Sequence, residues 1–205
     1  LVGNSVEMMS RKLKKFIEIQ GLEILKEIKE SGDQVVFVSG HFNNFELMAM
    51  EIDKAGINLC AIYRPLNNLF LNIIMERIRK KYICKNQIKK GKRGTRELLN
   101  LFNKKFSVAL MIDQRVSEGE SVEFFNRLAK TTTIPAQIVK KYNCKVVPVY
   151  VERINNINFK ISFSTPIKFE KESSVSDITL ELNRLLEQMI LKNPDQWIWS
   201  HGRWK

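Results

Sequence analysis

Four short apolar runs, at residues 35–38, 59–63, 108–112 and 146–151, are spaced along the chain with helix-length amphipathic segments between them. A strand that is apolar on both faces must be covered on both faces, and such strands occur in parallel sheets whose crossovers are helices. The predicted fold is therefore α/β, with a mostly parallel central sheet flanked by helices. Residues 159–163 alternate apolar with polar and read as a half-exposed edge strand. Helices are predicted near residues 44–54, 67–82, from Gly94 to about Phe102, 135–142 and 176–191; Leu71, Ile74, Met75 and Ile78 give the second its apolar periodicity. Residues 6–30 read as two short helices with a break near Gly21. With 205 residues and no internal repeat or linker, a single domain, 1–205, is expected, large enough to bury a core unaided.

Open α/β sheets place their chemistry beyond the carboxyl ends of the strands. On this plan His41, Arg64, Asp113, Gln114 and Arg153 each follow a strand, and one rim of the sheet collects them. His41 and Glu46 are the most informative pair. On one continuous helix, at about 100° per residue, they would point roughly 140° apart. With His41 in the turn and Glu46 in the first turn of the next helix, they can meet. The same residues also read as a capping box, Asn43-x-x-Glu46, whose only task is to start that helix. No metal site is expected, because the chain has two histidines and neither sits three or four residues from a second ligand.

The net charge of +12 is concentrated between Arg77 and Arg96, a stretch that contains no acid, with a second basic cluster at Arg11, Lys12, Lys14 and Lys15. Such a surface suits a nucleic acid, an anionic membrane or an acidic or phosphorylated partner, and is also what a merely solvated face looks like. Tyr82 is the only aromatic in the main cluster, which lacks the stacking platforms of a single-strand binder. Cys60, Cys84 and Cys144 are odd in number and unpaired by motif, as in a reduced, cytosolic protein. No run approaches the ~18 apolar residues of a spanning helix.

Along almost its full length the sequence resembles the late acyltransferases of lipid A biosynthesis, in the superfamily of lysophospholipid and glycerol-3-phosphate acyltransferases. Residues 40–47, GHFNNFEL, are similar to that family's G-H-F-G-N-W-E-L block, and residues 63–68, YRPLNN, to its Y-R-P-x-x-N block. Asp113-Gln114, followed by Phe124-Phe125, Ala129 and Thr131, resembles D-Q and then F-F-G-x-x-A-x-T. Residues 194–204, PDQWIWSHGRW, resemble the terminal P-E-Q-W-x-W-x-H-R-R-W. Asn43 and Asn126 stand where the family has glycine, Phe45 where it has tryptophan, and Gly202 where it has arginine. Members carry an N-terminal membrane helix that this sequence is expected to lack.

The resemblance implies an acyltransferase domain that moves a fatty acyl group from acyl carrier protein, its co-substrate, to a hydroxyl of a phosphorylated lipid A precursor. It implies no other cofactor and no nucleic-acid partner. His41 would be the general base and Glu46 would orient its ring; Arg64, Arg77, Arg96, Asp113, Gln114 and Arg153 would bind substrate. The implied location is the cytoplasmic face of the bacterial inner membrane, in peripheral contact with its anionic surface. A glycerophospholipid, another glycolipid or an ornithine lipid would be alternative acceptors, and a basic nucleic-acid-binding module is a remote alternative. Phe124 and Phe125 are expected in an acyl tunnel or in plain core, Trp197, Trp199 and Trp204 at the lipid interface as amphipathic anchors or in packing of the terminus onto the domain, and His201 in a structural role.

Overall fold

Strands and helices alternate through most of a computed structural model that describes residues 16–199 and 201–204. The basic cluster at Arg11–Lys15 and most of the first predicted helix lie outside these residues; the part that is described, Ile17–Gln20, is a strand and not helix. The elements run β1 (Ile17–Gln20), α1 (Leu22–Ser31), β2 (Val35–Ser39), α2 (Glu46–Lys54), β3 (Leu59–Tyr63), α3 (Leu69–Tyr82), β4 (Asn86–Lys89) and α4 (Lys92–Asn103). They continue with β5 (Ser107–Met111), β6 (Glu120–Phe124), β7 (Arg127–Thr131), α5 (Ile134–Tyr142), β8 (Lys145–Arg153), β9 (Phe159–Phe163), α6 (Val175–Lys192) and a 3-10 turn at Pro194–Gln196.

Seven strands form one sheet in the order β1-β9-β8-β2-β5-β3-β4, parallel except between β8 and β9. The mostly parallel α/β prediction holds, and its cause is visible in β2. All five of its residues are buried, with Val36 and Val38 facing one core and Val35 and Phe37 the other. The first core adds Leu98 and Phe102 of α4, Ile138 of α5 and Leu182 and Leu186 of α6; the second adds Leu25 of α1 and Met48 and Ile52 of α2. Burying a Leu, Ile or Phe side chain stabilises by about 1.5–3 kcal/mol, so both faces of the sheet are fastened.

Four strands escape the sequence reading. β1 covers the outer edge of β9, which is therefore not the sheet edge, and β4 extends the other side beyond β3. β6 and β7 form a separate antiparallel hairpin. Its turn residues Phe125 and Asn126 both have positive φ, 50° and 57°. Asparagine tolerates the left-handed region better than other side-chain-bearing residues, which is how Asn126 replaces a glycine.

Candidate functional site

The backbone after β2 makes the site. Ser39 ends the strand, and Gly40 is needed because a Cβ there would lie 2.9 Å from both Leu186 Cδ1 and the Phe42 ring. Asn43 has φ 41°, a second family glycine position held by asparagine in the left-handed region. Its side chain donates to Gln196 Oε1 and its backbone N–H to Gln196 O, 3.1 Å. The His41 carbonyl accepts from Ile198 N–H, 3.0 Å. The turn carrying His41 is thus pinned by the chain's C-terminal segment.

Asp113, just beyond β5, is the carboxylate that meets the imidazole. Its Oδ1 lies 2.7 Å from His41 Nδ1, while its Oδ2 accepts the His41 backbone N–H at 2.8 Å and the Trp197 indole N–H at 2.9 Å. The carboxylate is 2% exposed. Burial alone would raise its pKa, but the His41 ring, the His41 backbone N–H and the Trp197 indole outweigh burial and hold it below the usual range. An ionised Asp113 accepts from Nδ1–H, which leaves Nε2 as the unprotonated nitrogen. Gln114 places its amide nitrogen 3.3 Å from that Nε2 and 2.9 Å from His201 Nε2. The Phe45 ring packs edge-on against the imidazole, centroids 4.5 Å apart.

The expected contact between Glu46 and the ring is not made. Glu46 Oε1 is taken by Arg79, at 2.7 Å from Nε and 2.6 Å from Nη2. Nor is there a capping box: α2 begins at Glu46, its N-cap is Phe45, and no side chain caps it. Glu46 therefore has a partner of its own. The Arg79 guanidinium lies 5.6 Å over the Tyr63 ring, and Tyr63 donates to Glu76 at 2.6 Å. Asn72 and Lys89 also reach Glu76, at 2.7 and 3.0 Å. The Tyr63 hydroxyl first, then Lys89, hold the Glu76 carboxyl down at about 2.

A cavity of about 310 Å³ opens beside the imidazole. Its lining includes the polar side chains of His41, Glu46, Arg64, Arg79, Lys89 and Lys90 and the apolar ones of Met48, Ile83, Leu110, Met111 and Ile134. Of the six expected substrate-binding residues, Arg64 and Gln114 line it. Asp113 lies behind the imidazole and is not part of the lining. Arg77 and Arg96 are exposed on α3 and α4, and Arg153 is exposed at the end of β8, where its guanidinium donates to Asn156 O at 2.6 Å. Those three cations are not in the lining. Sequence reasoning missed Arg79, Trp197 and His201 as members of the site. The polar spacing Asn72, Glu76, Arg79 on α3 was the available signal for the first, and the terminal block for the other two.

The thiols stay out of the chemistry. Burial pushes Cys60 up to about 12 and Cys84 and Cys144 to about 11, so none is a ready thiolate. Among the described residues, no three His, Cys, Asp or Glu side chains are grouped to hold a metal ion.

Comparison with known proteins places this geometry in a family. Residues 2–205 match the family described as bacterial lipid A biosynthesis acyltransferase. The lipid A biosynthesis palmitoleoyltransferase of Escherichia coli strain K12 is 23% identical over 202 residues, covering 95% of this chain and 63% of that protein. A lipid A biosynthesis acyltransferase of Haemophilus influenzae is 24% identical over 201 residues, 95% of this chain and 62% of its own length. The chain thus spans less than two thirds of either relative. Among solved structures, the 1-acyl-sn-glycerophosphate acyltransferase PlsC of Thermotoga maritima shares the fold, with a TM-score of 0.54 at 12% identity over 92% of this chain and 80% of that one. The chain belongs to the bacterial lipid A biosynthesis acyltransferases.

Proposed function

We propose that this protein transfers a fatty acyl group from the thioester of acyl carrier protein to a hydroxyl of a phosphorylated lipid A precursor, at the cytoplasmic face of the inner membrane and against its anionic surface. The observation that carries this reading is the imidazole of His41, clamped through Nδ1 by a buried carboxylate beside a cavity lined by both cationic and apolar side chains. An alcohol is a poor nucleophile near neutral pH and needs a base within reach as it attacks. Nε2 of His41 takes the hydroxyl proton while the alcohol oxygen bonds to the thioester carbon. The tetrahedral intermediate then collapses, the C–S bond breaks, and the departing thiolate receives the proton back from His41. Asp113 keeps the ring in the required tautomer and stabilises the imidazolium between the two steps.

Backbone N–H groups at the start of α2 are the proposed donors to the oxyanion. Glu46 contributes by holding Arg79 at the cavity wall, where the guanidinium, with Arg64, faces acceptor phosphate. The acyl chain packs against the apolar side chains of Met48, Ile83 and Met111. Arg77, Arg96 and the neighbouring lysines form the outer basic surface that steers acidic carrier protein. No cofactor beyond the acyl donor enters this scheme.

Acyl carrier protein loaded with chains of several lengths, incubated with a tetra-acylated disaccharide acceptor, tests it with products read by mass. One added acyl group is expected, and His41→Ala should lower the rate by about 10²–10⁴-fold while the circular dichroism spectrum stays unchanged. Transfer by His41→Ala at the wild-type rate would discard the mechanism. Transfer to a glycerophospholipid in place of the disaccharide would discard the acceptor assignment and keep the chemistry.

A further inference from the structure

Helix α3 is packed inside out. Its one fully buried side chain is Asn72, whose Oδ1 accepts the Leu66 N–H at 2.9 Å. Glu76 and Arg79, on the same inward stripe, are held by Tyr63, Lys89 and Glu46. The apolar side chains look the other way: Phe70 is 82% exposed and Leu69 76%, and Leu71, Ile73, Ile74 and Ile78 are exposed with them. More than half of the large exposed apolar side chains among the described residues fall between Leu66 and Tyr82. None of the helix's residues belongs to either core. A contiguous apolar surface of this kind on a folded protein marks an interaction site.

Charge selects the occupant. Arg77, Lys80 and Lys81 are exposed on the same helix, and Lys85 and Lys90 follow on either side of β4 and Arg93 and Arg96 in α4. The helix's one acid, Glu76, is turned inward and engaged. A second copy of the chain docked through this face would set those cations against their own images. A surface that is apolar within and anionic at its boundary matches both halves of the helix. We propose that α3 docks the protein on an anionic bilayer, with Leu69, Phe70, Ile73 and Ile74 among the acyl chains and Arg77, Lys80 and Lys81 at the headgroup phosphates.

The arrangement along the helix fits the depth profile of a membrane interface. Phe70 and Lys80 are ten residues apart, about 15 Å at 1.5 Å per residue, so a tilted helix can immerse its first two turns and leave its last at headgroup level. The docking also places the cavity. Arg79, from the inner face of α3, lines that cavity together with Ile83 and Lys89, which follow the helix. The bilayer therefore lies beside the mouth through which a lipid acceptor would reach His41; this orientation rests on the transferase reading, and the docking deepens the membrane contact proposed with it by naming the helix that makes it.

Flotation of the full chain with vesicles of phosphatidylcholine, with and without phosphatidylglycerol, tests this. Binding to the mixed vesicles that falls with added salt is expected. Leu69→Glu, Phe70→Glu and Ile73→Glu combined should weaken it at least about tenfold, and Lys80→Glu with Lys81→Glu should remove the preference for phosphatidylglycerol. A Phe70→Trp variant gives a readout independent of those substitutions: its emission, after subtraction of the wild-type spectrum that Trp197, Trp199 and Trp204 supply, should be that of an exposed indole in buffer and shift to the blue when mixed vesicles are added. An emission already blue in buffer and unmoved by vesicles would mean that other protein covers the face, whether residues before Phe16 or a second copy, and would overturn the proposal. So would undiminished flotation of the triple glutamate variant. Flotation needs neither acyl donor nor acceptor, so a chain that floats but transfers nothing refutes the transferase reading alone. A chain that transfers but does not float refutes the docking, and with it the membrane contact proposed above, and leaves the transfer chemistry standing.

Discussion

At Asp113 one buried carboxylate accepts three N–H groups, from the His41 ring, the His41 backbone and Trp197. Local spacing in the sequence favours Glu46 as the partner of His41, because five residues are visible at a glance and the 72 residues between His41 and Asp113 are not. What joins the distant pair is the parallel pairing of β2 with β5, Val38 beside Leu110 and Ser39 beside Met111, which brings the residues after each strand to one rim. That rim was legible from the apolar runs; the choice between two carboxylates on it was not. Substitution separates them. Asp113→Asn keeps the size but removes the charge that stabilises imidazolium, and should lower kcat by about 10²-fold or more with the fold intact. Glu46→Gln leaves an acceptor for Arg79 and should act mainly on KM for the acceptor. A larger kcat loss in Glu46→Gln than in Asp113→Asn, measured by steady-state transfer, would return the orienting role to Glu46.

Helix α3 shows that an element legible from its apolar period can turn that period to solvent. Leu71, Ile74 and Ile78 give it a helical period, and an apolar period normally marks the buried face. Here the second period, Asn72, Glu76, Arg79, wins the interior because every member finds a partner there: the Leu66 N–H, Tyr63, Lys89 and Glu46. β4 was invisible for a related reason. Only Ile88 of its four residues is fully buried, so its sequence lacks the apolar run that announces the other parallel strands. The Glu76 cluster carries a pH dependence. A carboxylate whose folded pKa is lowered, here from 4.5 to about 2, adds stability that is present above 4.5 and lost as pH falls toward 2. Glu76→Gln should therefore be less stable than wild type at neutral pH, and the two should converge as the urea midpoint is followed down from pH 5 toward pH 2. A difference that stays constant across that window would remove the ion pair and the Tyr63 hydrogen bond as its cause.

Across the whole molecule, the C-terminal segment ties the hairpin, α6 and the His41 turn into one unit. Trp197 reaches Asp113, the Phe42 backbone bridges to Trp197, and the Trp204 indole donates to Phe124 O at 3.0 Å. Arg203 is the centre of this closure. It is 1% exposed, donates to Lys130 O at 2.8 Å and to Thr131 Oγ1 at 2.7 Å, and lies 4.8 Å over the Phe124 ring. The terminal block was recognisable in the sequence as a unit, but nothing in its composition distinguishes an arginine bound for the interior from one facing a phosphate. Desolvation, opposed only partly by Asp113, lowers the Arg203 pKa to about 10, so the guanidinium is held inside at an electrostatic cost and its hydrogen bonds must offset it. Removing it takes one of two donors from the Lys130 carbonyl, which keeps the Val116 N–H, and from the Thr131 hydroxyl, which keeps Asn183 Nδ2, and opens a hole beside Phe124. Arg203→Ala should cost about 2–4 kcal/mol in the urea unfolding free energy. Because the same segment carries Trp197 to Asp113, the variant should also lose transferase activity at temperatures where it remains folded, with acceptor KM changed less than kcat. A stable Arg203→Ala with full activity would mean that the tail decorates the domain and does not close its site.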